Sequence, residues 1–282
     1  MRKRSWILQI ADLHLIERPR NGLPAEQCIS LMAEAVKNTT HRGTQLFVAV
    51  CGDLTSKAAS RGYDLSKQFI HSLRGALGEQ AKFVFCPGNH DINTKAAPED
   101  AFSGFNSAVW HSGQTAMFSR ERTAITVPQD GVQFVLVNSA YHLDHKFGKI
   151  ELELLGDVLA TNERMCRILL VHHHSIPAMG DKNSAIRNAQ QFLQVCVANR
   201  VDAILHGHGH MESMLSLGRR QALIIGVGSL FYPPKPNYNN EFNLICLRGN
   251  EIERILRFRF LADRPNSRGK LGSFVPTDIR IL

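Results

Sequence analysis

The 282-residue chain has no CxxC or other closely spaced cysteine pair, no long apolar run, no internal repeat and no low-complexity tract. Each absence removes a class of protein. Six cysteines (Cys28, Cys51, Cys86, Cys166, Cys196, Cys246) sit mostly inside apolar runs, where a free thiol behaves as a small core residue. Zinc ribbons, dithiol redox motifs and disulfide frameworks are thereby disfavoured, and reduced thiols in a cytoplasmic protein are expected. After Met1-Arg2-Lys3-Arg4, the apolar stretch from Trp6 is interrupted by Gln9 and stops at Asp12. That is too short and too polar for a signal peptide, and no later segment reads as a membrane span. A separate DNA-binding domain or coiled-coil docking segment is also missing. An acidic excess is absent too: the formal charge is +8, which favours acidic partners or substrates. The basic residues are dispersed, with mild concentrations at residues 1–4 and 248–280, so a solvated basic surface is the plainer reading than a nucleic-acid track.

The apolar pattern predicts an α/β protein. Residues 6–10, 46–50 and 82–86 read as strands, the second a continuous apolar run of the kind covered on both faces. Between them, residues 25–40 and about 62–77 have helical spacing, which gives parallel crossovers. The middle of the chain predicts a helix around 101–110 and a hairpin of residues 123–127 and 132–137 joined through Pro128-Gln129-Asp130-Gly131. A helix at about 151–162 precedes the strand 167–171, and a helix at about 184–199 precedes residues 201–205. From Met211 onward strands follow without helices, at 214–217, 221–227, 242–247 and 252–260. Residues 1–260 are expected to form a single domain, with 261–282 an extension that wraps the surface or meets a partner.

Thirteen histidines are present, and most fall with aspartates and one asparagine in five blocks. These are Asp12-Leu13-His14, Gly52-Asp53, Gly88-Asn89-His90-Asp91, His172-His173-His174 and His206-Gly207-His208-Gly209-His210. Each block follows a predicted strand. Loops at the carboxyl ends of strands in an α/β sheet face one crevice, so the blocks can converge. Chance histidines also fall on helices and outer faces, as His41 and His71 do. Oxygen and imidazole donors in this number suit a pair of hard or borderline divalent metals rather than a zinc finger. A carboxylate can bridge two cations and reduce their repulsion, and an asparagine carbonyl adds an oxygen without adding charge. Glycines at 52, 88, 207 and 209 would let the backbone approach closely.

The blocks, spanning about residues 6–212, resemble the calcineurin-like metallophosphoesterase superfamily in every position of its pattern. The resemblance implies a four-layer α-β-β-α sandwich of two mixed sheets flanked by helices, with the strand-rich last third in the second sheet. It also implies metal ligands: Asp12, His14 and His210 for one ion, Asn89, His172 and His208 for the other, and Asp53 as the bridge. Within the triplet, His172 aligns with the family's ligand, while His174 and Ser175 replace its usual prolines. Neighbouring strand residues face opposite ways, so His173 is expected to pack or border the substrate. His90 is expected to donate a hydrogen bond or proton to the phosphoryl group or leaving oxygen, and Asp91 to orient His90.

The chemistry implied is phosphoester hydrolysis by metal-activated water, without a phospho-enzyme. Gly52-Asp53-Leu54-Thr55 and the compact length look most like the bacterial cyclic-nucleotide and glycerophosphodiester branch, so a cyclic nucleotide or another small phosphodiester is the expected substrate. Asp12-Leu13-His14-Leu15 is also similar to repair nucleases of the superfamily, which keeps a DNA or RNA nuclease as the alternative. A third reading is a metallophosphoesterase-fold subunit acting mainly as a binding module in a larger complex; intact ligand blocks argue against a scaffold alone, while a homo-oligomer or an active subunit of a complex stays open. Mn²⁺ or Fe is the expected metal, and Zn²⁺ or Co²⁺ would also be accepted by the donor set.

Overall fold

The computed structural model describes residues 4–41, 43–160, 165–177, 184–218, 222–233, 239–262 and 272–279. Two six-stranded mixed sheets lie face to face. The first has the order β12-β11-β10-β1-β2-β3, with β1 Arg4–Ile10, β2 Gln45–Cys51, β3 Lys82–Cys86, β10 Glu241–Arg248, β11 Glu251–Leu261 and β12 Ser273–Ile279. The second has the order β4-β5-β6-β7-β9-β8, with β4 Ala124–Gln129, β5 Val132–Val137, β6 Cys166–Val171, β7 Ala203–His206, β8 Ser213–Leu217 and β9 Ala222–Gly226. Helices α1 Ala25–Thr39, α2 Ser60–Leu77 and α3 Ser103–Trp110 accompany the first sheet, and α4 Leu152–Leu159 and α5 Ala189–Ala198 the second. This is the expected four-layer sandwich. No helix among the described residues is long and apolar enough to cross a membrane.

Strand alternation builds the layers. In β5, β6 and β7, Phe134, Leu136, Ile168, Leu170, Ala203 and Leu205 face inward to the core shared by the two sheets. Their neighbours Val135, Val137, Leu169, Val171 and Ile204 face outward and meet Leu155, Leu159, Phe192 and Cys196 of α4 and α5. A strand buried on both faces must be apolar throughout, which is why these segments read as continuous runs. Across the interior, Phe47 of β2 and Phe134 of β5 meet edge to face with ring centroids 5.1 Å apart. All six cysteines are buried and unpaired.

Four sequence expectations change. The strand-rich last third is divided between the sheets: β8 and β9 join the second, whereas β10, β11 and β12 extend the first from the edge of β1. Gln129 ends β4 instead of belonging to the turn, which shrinks to Asp130 (φ 41°) and Gly131 (φ 91°). Two residues in the left-handed region form the tight hairpin turn whose twist suits antiparallel strands. α5 begins at Ala189, not near residue 184, because the preceding backbone is engaged elsewhere: Ile186 bridges Gly148, and the Asn188 side chain brackets both the N–H and the carbonyl of Ile150. The chain does not leave the domain at residue 260. β11 runs through Leu261, and β12 pairs with it antiparallel from Ile255↔Ile279 to Leu261↔Ser273. Pro276 obscures this strand in the sequence; a proline is tolerated there because β12 is the edge of its sheet. Residues 263–271 of the expected extension lie outside the described residues.

Candidate metal centre

Five strand ends meet at one rim of the sandwich. β1 delivers Asp12 and His14, β2 delivers Asp53, and β3 delivers Asn89 and His90; from the other sheet, β6 delivers His172, and β7 delivers His208 and His210. The loops are tied before any side chain acts: Asp12 N–H donates to the Gly52 carbonyl (3.1 Å), His14 N–H to that of Asp53 (2.9 Å), and Gly207 N–H to that of His172 (3.1 Å). Asp12, His14, Asp53, His208 and His210 all have positive φ, between 44° and 68°. Each such residue costs about 1–2 kcal/mol, so the fold holds its candidate ligands in strained backbone that the packing around them must impose. Gly88 passes so close to Asp53 that a Cβ there would lie 2.1 Å from Asp53 Oδ1.

The donor atoms form two clusters and a third group that overlaps both. Asp12, His14 and His210 can each offer one atom to a common point, as can Asp53, His172 and His208; His14, Asp53 and His90 form the group between them. In the first, His14 Nε2 and His210 Nε2 are 3.0 Å apart, and Asp12 Oδ1 lies 3.4 Å from His210 Nε2. In the second, His172 Nε2 is 2.9 Å from Asn89 Oδ1, 3.0 Å from His208 Nδ1 and 3.3 Å from Asp53 Oδ2. That same Asp53 Oδ2 is 3.7 Å from His14 Nε2, so one carboxylate oxygen faces both clusters. Donors about 2.1 Å from one cation at right angles lie about 3 Å apart, which is the spacing seen here. Asp12 Oδ1 is buried and accepts no hydrogen bond. A carboxylate oxygen in that condition beside two imidazole nitrogens fits a cation site.

The remaining atoms of these side chains are used to aim them. His172 Nδ1–H donates to the Cys51 carbonyl (2.9 Å), which leaves Nε2 for the cluster. Asn89 Nδ2 donates to the His145 carbonyl (3.0 Å) and so turns Oδ1 inward. Asp53 Oδ1 accepts the His90 N–H (2.9 Å), and Asp12 Oδ2 accepts the His208 N–H (2.8 Å). Burial opposes ionisation of both aspartates, but His210 beside Asp12 and His172 beside Asp53 outweigh it, and both carboxyls stay below the usual carboxylate range. Burial likewise disfavours a charged His172, yet the two aspartates raise it to about 9. His208, buried and next to the His172 charge, falls to about 3.

Asp91 departs from its expected role. Its carboxylate accepts the N–H groups of Leu54, Thr55 and Gly88 (3.2, 3.1 and 3.0 Å), and does not touch the His90 ring. The imidazole is aimed by Ser56, whose carbonyl accepts His90 Nδ1–H at 2.9 Å, leaving Nε2 toward the cleft. Asp91 therefore pins the loop of Asp53 to that of Asn89 rather than acting on His90. Burial and the nearby Asp53 raise its pKa to about 7, against the pull of those three N–H donors. Sequence reasoning missed Ser56 because a backbone carbonyl leaves no mark on residue type. His145, whose ring centroid is 6.3 Å from that of His90, was missed because it sits in a loop that follows no recognised block.

Two other histidines of the blocks flank the clusters. His173 packs on His208, with ring centroids 4.3 Å apart, and its Nδ1 is 2.7 Å from Ser139 Oγ. His206 is held by Ser213 Oγ at Nε2 (3.1 Å) and by the Gly207 carbonyl at Nδ1 (3.2 Å); burial lowers it to about 4.

Comparison with known proteins identifies the family. The family model for calcineurin-like phosphoesterases matches residues 5–212. The 3',5'-cyclic adenosine monophosphate phosphodiesterase CpdA of Escherichia coli K12 is 29% identical over 227 residues, covering 77% of this chain and 74% of the relative. CpdA of Haemophilus influenzae is 24% identical over 212 residues, covering 73% and 70%. Among solved structures, a dimetal phosphatase from Danio rerio superposes with a TM-score of 0.59 at 15% identity, covering 90% of this chain and 95% of that one, which speaks to the fold. The chain belongs to the calcineurin-like phosphoesterase family and is a metal-dependent phosphoesterase.

Proposed function

We propose that the protein hydrolyses phosphodiesters, with a cyclic nucleotide or another small diester as substrate, at a two-metal centre. Asp12, His14 and His210 would hold one cation, Asn89, His172 and His208 the other, and Asp53 would bridge them. The observation that supports this reading is the position of Asp53 Oδ2, 3.7 Å from His14 Nε2 in one cluster and 3.3 Å from His172 Nε2 in the other. When bound, a pair of divalent cations, Mn²⁺ or Fe in the first instance, promotes water attack and neutralises charge on the phosphoryl oxygens.

The chain's own groups complete the reaction. With Nδ1–H fixed on Ser56, the proton that matters on His90 is the one on Nε2. As the ester bond to phosphorus breaks, the imidazolium form donates that proton to the departing oxygen, and the incoming water loses one to solvent or substrate. The relatedness to two cyclic-AMP phosphodiesterases supports a diester substrate. Six buried free thiols support a reducing compartment, hence the cytoplasm.

The test is a substrate panel with Mn²⁺: bis-p-nitrophenyl phosphate, p-nitrophenyl phosphate, cyclic AMP and linear single- and double-stranded DNA. Turnover of cyclic AMP and bis-p-nitrophenyl phosphate is expected, falling by more than about a hundredfold in Asp53→Asn with loss of bound metal. DNA cleavage without cyclic-nucleotide turnover would move the substrate to nucleic acid. An Asp53→Asn protein with unchanged activity would sink the two-metal reading.

A further inference from the structure

Beside the His14–His210 pair stands an aromatic side chain that the chemistry above does not use. The Tyr232 ring centroid is 4.4 Å from that of His210 and 6.2 Å from that of His14. On the same ring, the guanidinium carbon of exposed Arg20 lies 5.7 Å from the centroid. Tyr232 itself is half-buried.

This placement is built into the fold. Ser229 Oγ donates to the backbone carbonyl of Asp12 and accepts the N–H groups of Phe231 (3.3 Å) and Tyr232 (3.0 Å). Buried Asn240 donates Nδ2 to the carbonyls of Ser229 (3.0 Å) and Tyr232 (2.8 Å), while its Oδ1 accepts from Asn21 (3.0 Å). Asn21 donates to the Leu230 carbonyl as well (2.9 Å). The loop of Arg20 and the loop of Tyr232 are thus tied to each other, and both to the backbone of a candidate metal ligand.

An organic group esterified to a phosphate at the clusters must leave the site past one of its walls, and the His210 side offers an aromatic ring with a cation across it. A flat ring and a guanidinium together recognise a planar π system and negative charge; a glycerol or alkyl arm gains little from them. We propose that Tyr232 and Arg20 form a specificity-determining wall that receives the base of a nucleoside phosphate. The inference rests on the phosphodiesterase reading and narrows it to nucleotide diesters.

Calorimetric titration of the metal-loaded protein with AMP and with ribose 5-phosphate isolates the contribution of the base. Tyr232→Ala should weaken AMP about tenfold and ribose 5-phosphate by no more than about twofold, since base–aromatic stacking has that magnitude. Tyr232→Phe, which keeps the ring, should bind AMP as the parent does. Arg20→Ala should weaken AMP about threefold. With cyclic AMP, Tyr232→Ala should raise KM about as much as it weakens AMP and move kcat far less. Equal losses for the two probes, a Phe variant as weak as the Ala variant, or lost metal in Tyr232→Ala would overturn the proposal. Failure of the parent protein to turn over any diester would instead count against the phosphodiesterase reading, and the ratio of AMP to ribose 5-phosphate affinity would still decide the role of Tyr232.

Discussion

The two sheets bring different chemistry to the rim. The sheet of β1, β2 and β3 supplies every oxygen donor of the proposed ligand set, Asp12, Asp53 and Asn89, with His14 as its one imidazole in that set. The sheet of β6 and β7 supplies imidazoles only: His172, His208 and His210. Each of the two proposed cation sites draws on both. The anionic half and the imidazole half are therefore useless apart, and a cation pair held between them would clamp one sheet to the other at this end of the sandwich. Aspartate and histidine are also residues that tolerate the left-handed backbone at these strand ends better than most, so ligand chemistry and loop conformation select the same types.

Asp53 is the sharpest place to break that division, because its single oxygen serves both clusters. Asp53→Asn should empty both positions, whereas His210→Ala, removing one imidazole from one cluster, should leave about half the bound metal. Elemental analysis of the two purified variants checks this. Equal metal content in both would show that the bridge has no special standing. Next in size is Gly88→Ala. Its Cβ would sit 2.1 Å from Asp53 Oδ1 and 2.4 Å from the Asp53 nitrogen, with no flexible neighbour to give way. A loss of about 3 kcal/mol in unfolding free energy, with activity falling alongside, is expected from denaturant titration.

Much of this was legible in the sequence. The seven proposed ligands announce themselves because donor types recur after strands, and the four layers because β5 to β7 are apolar on both faces. The parts that escaped have physical reasons. Asp91 reads as a partner for His90 since the two are adjacent, yet three backbone N–H groups from the Asp53 and Asn89 loops compete for its carboxylate and win. β12 hides behind Pro276, because only the topology reveals that it is an edge. α5 starts late because Asn188 satisfies the backbone of Ile150, a contact 38 residues away that no local pattern encodes.

Protons and metals compete within the imidazole half, and there His172 and His208 should behave oppositely. In the metal-free protein His172 is raised to about 9 from an ordinary 6.5, so it contributes stability that is fully present below pH 6.5 and is lost as pH rises through 9. His208, lowered to about 3, is already neutral and has no proton to give. Metal uptake at pH 7.5 should then release about one proton, from His172, and apparent affinity should rise with pH up to about 9. Calorimetry in two buffers of different ionisation enthalpy counts the proton. No release at pH 7.5 would mean that His172 is not protonated beside Asp53.

The smallest effect is expected within the imidazole half itself, at the two glycines of His206-Gly207-His208-Gly209-His210. A Cβ on Gly207 would lie 2.5 Å from both Ala11 Cβ and Asp12 Oδ2, so this residue marks where the two sheets' loops press together. On Gly209 the nearest atom, His174 Nδ1, is 3.8 Å away, an ordinary contact, and the backbone there is not in the left-handed region. The sequence motif treats the two alike; the packing does not. Gly209→Ala should change unfolding free energy by no more than about 0.5 kcal/mol and leave metal content intact, while Gly207→Ala should cost about 1–3 kcal/mol and disturb the Asp12 cluster. Comparable losses in the two variants, read by thermal unfolding with and without Mn²⁺, would mean that the close approach of the sheets at Gly207 is not what holds Asp12 in place.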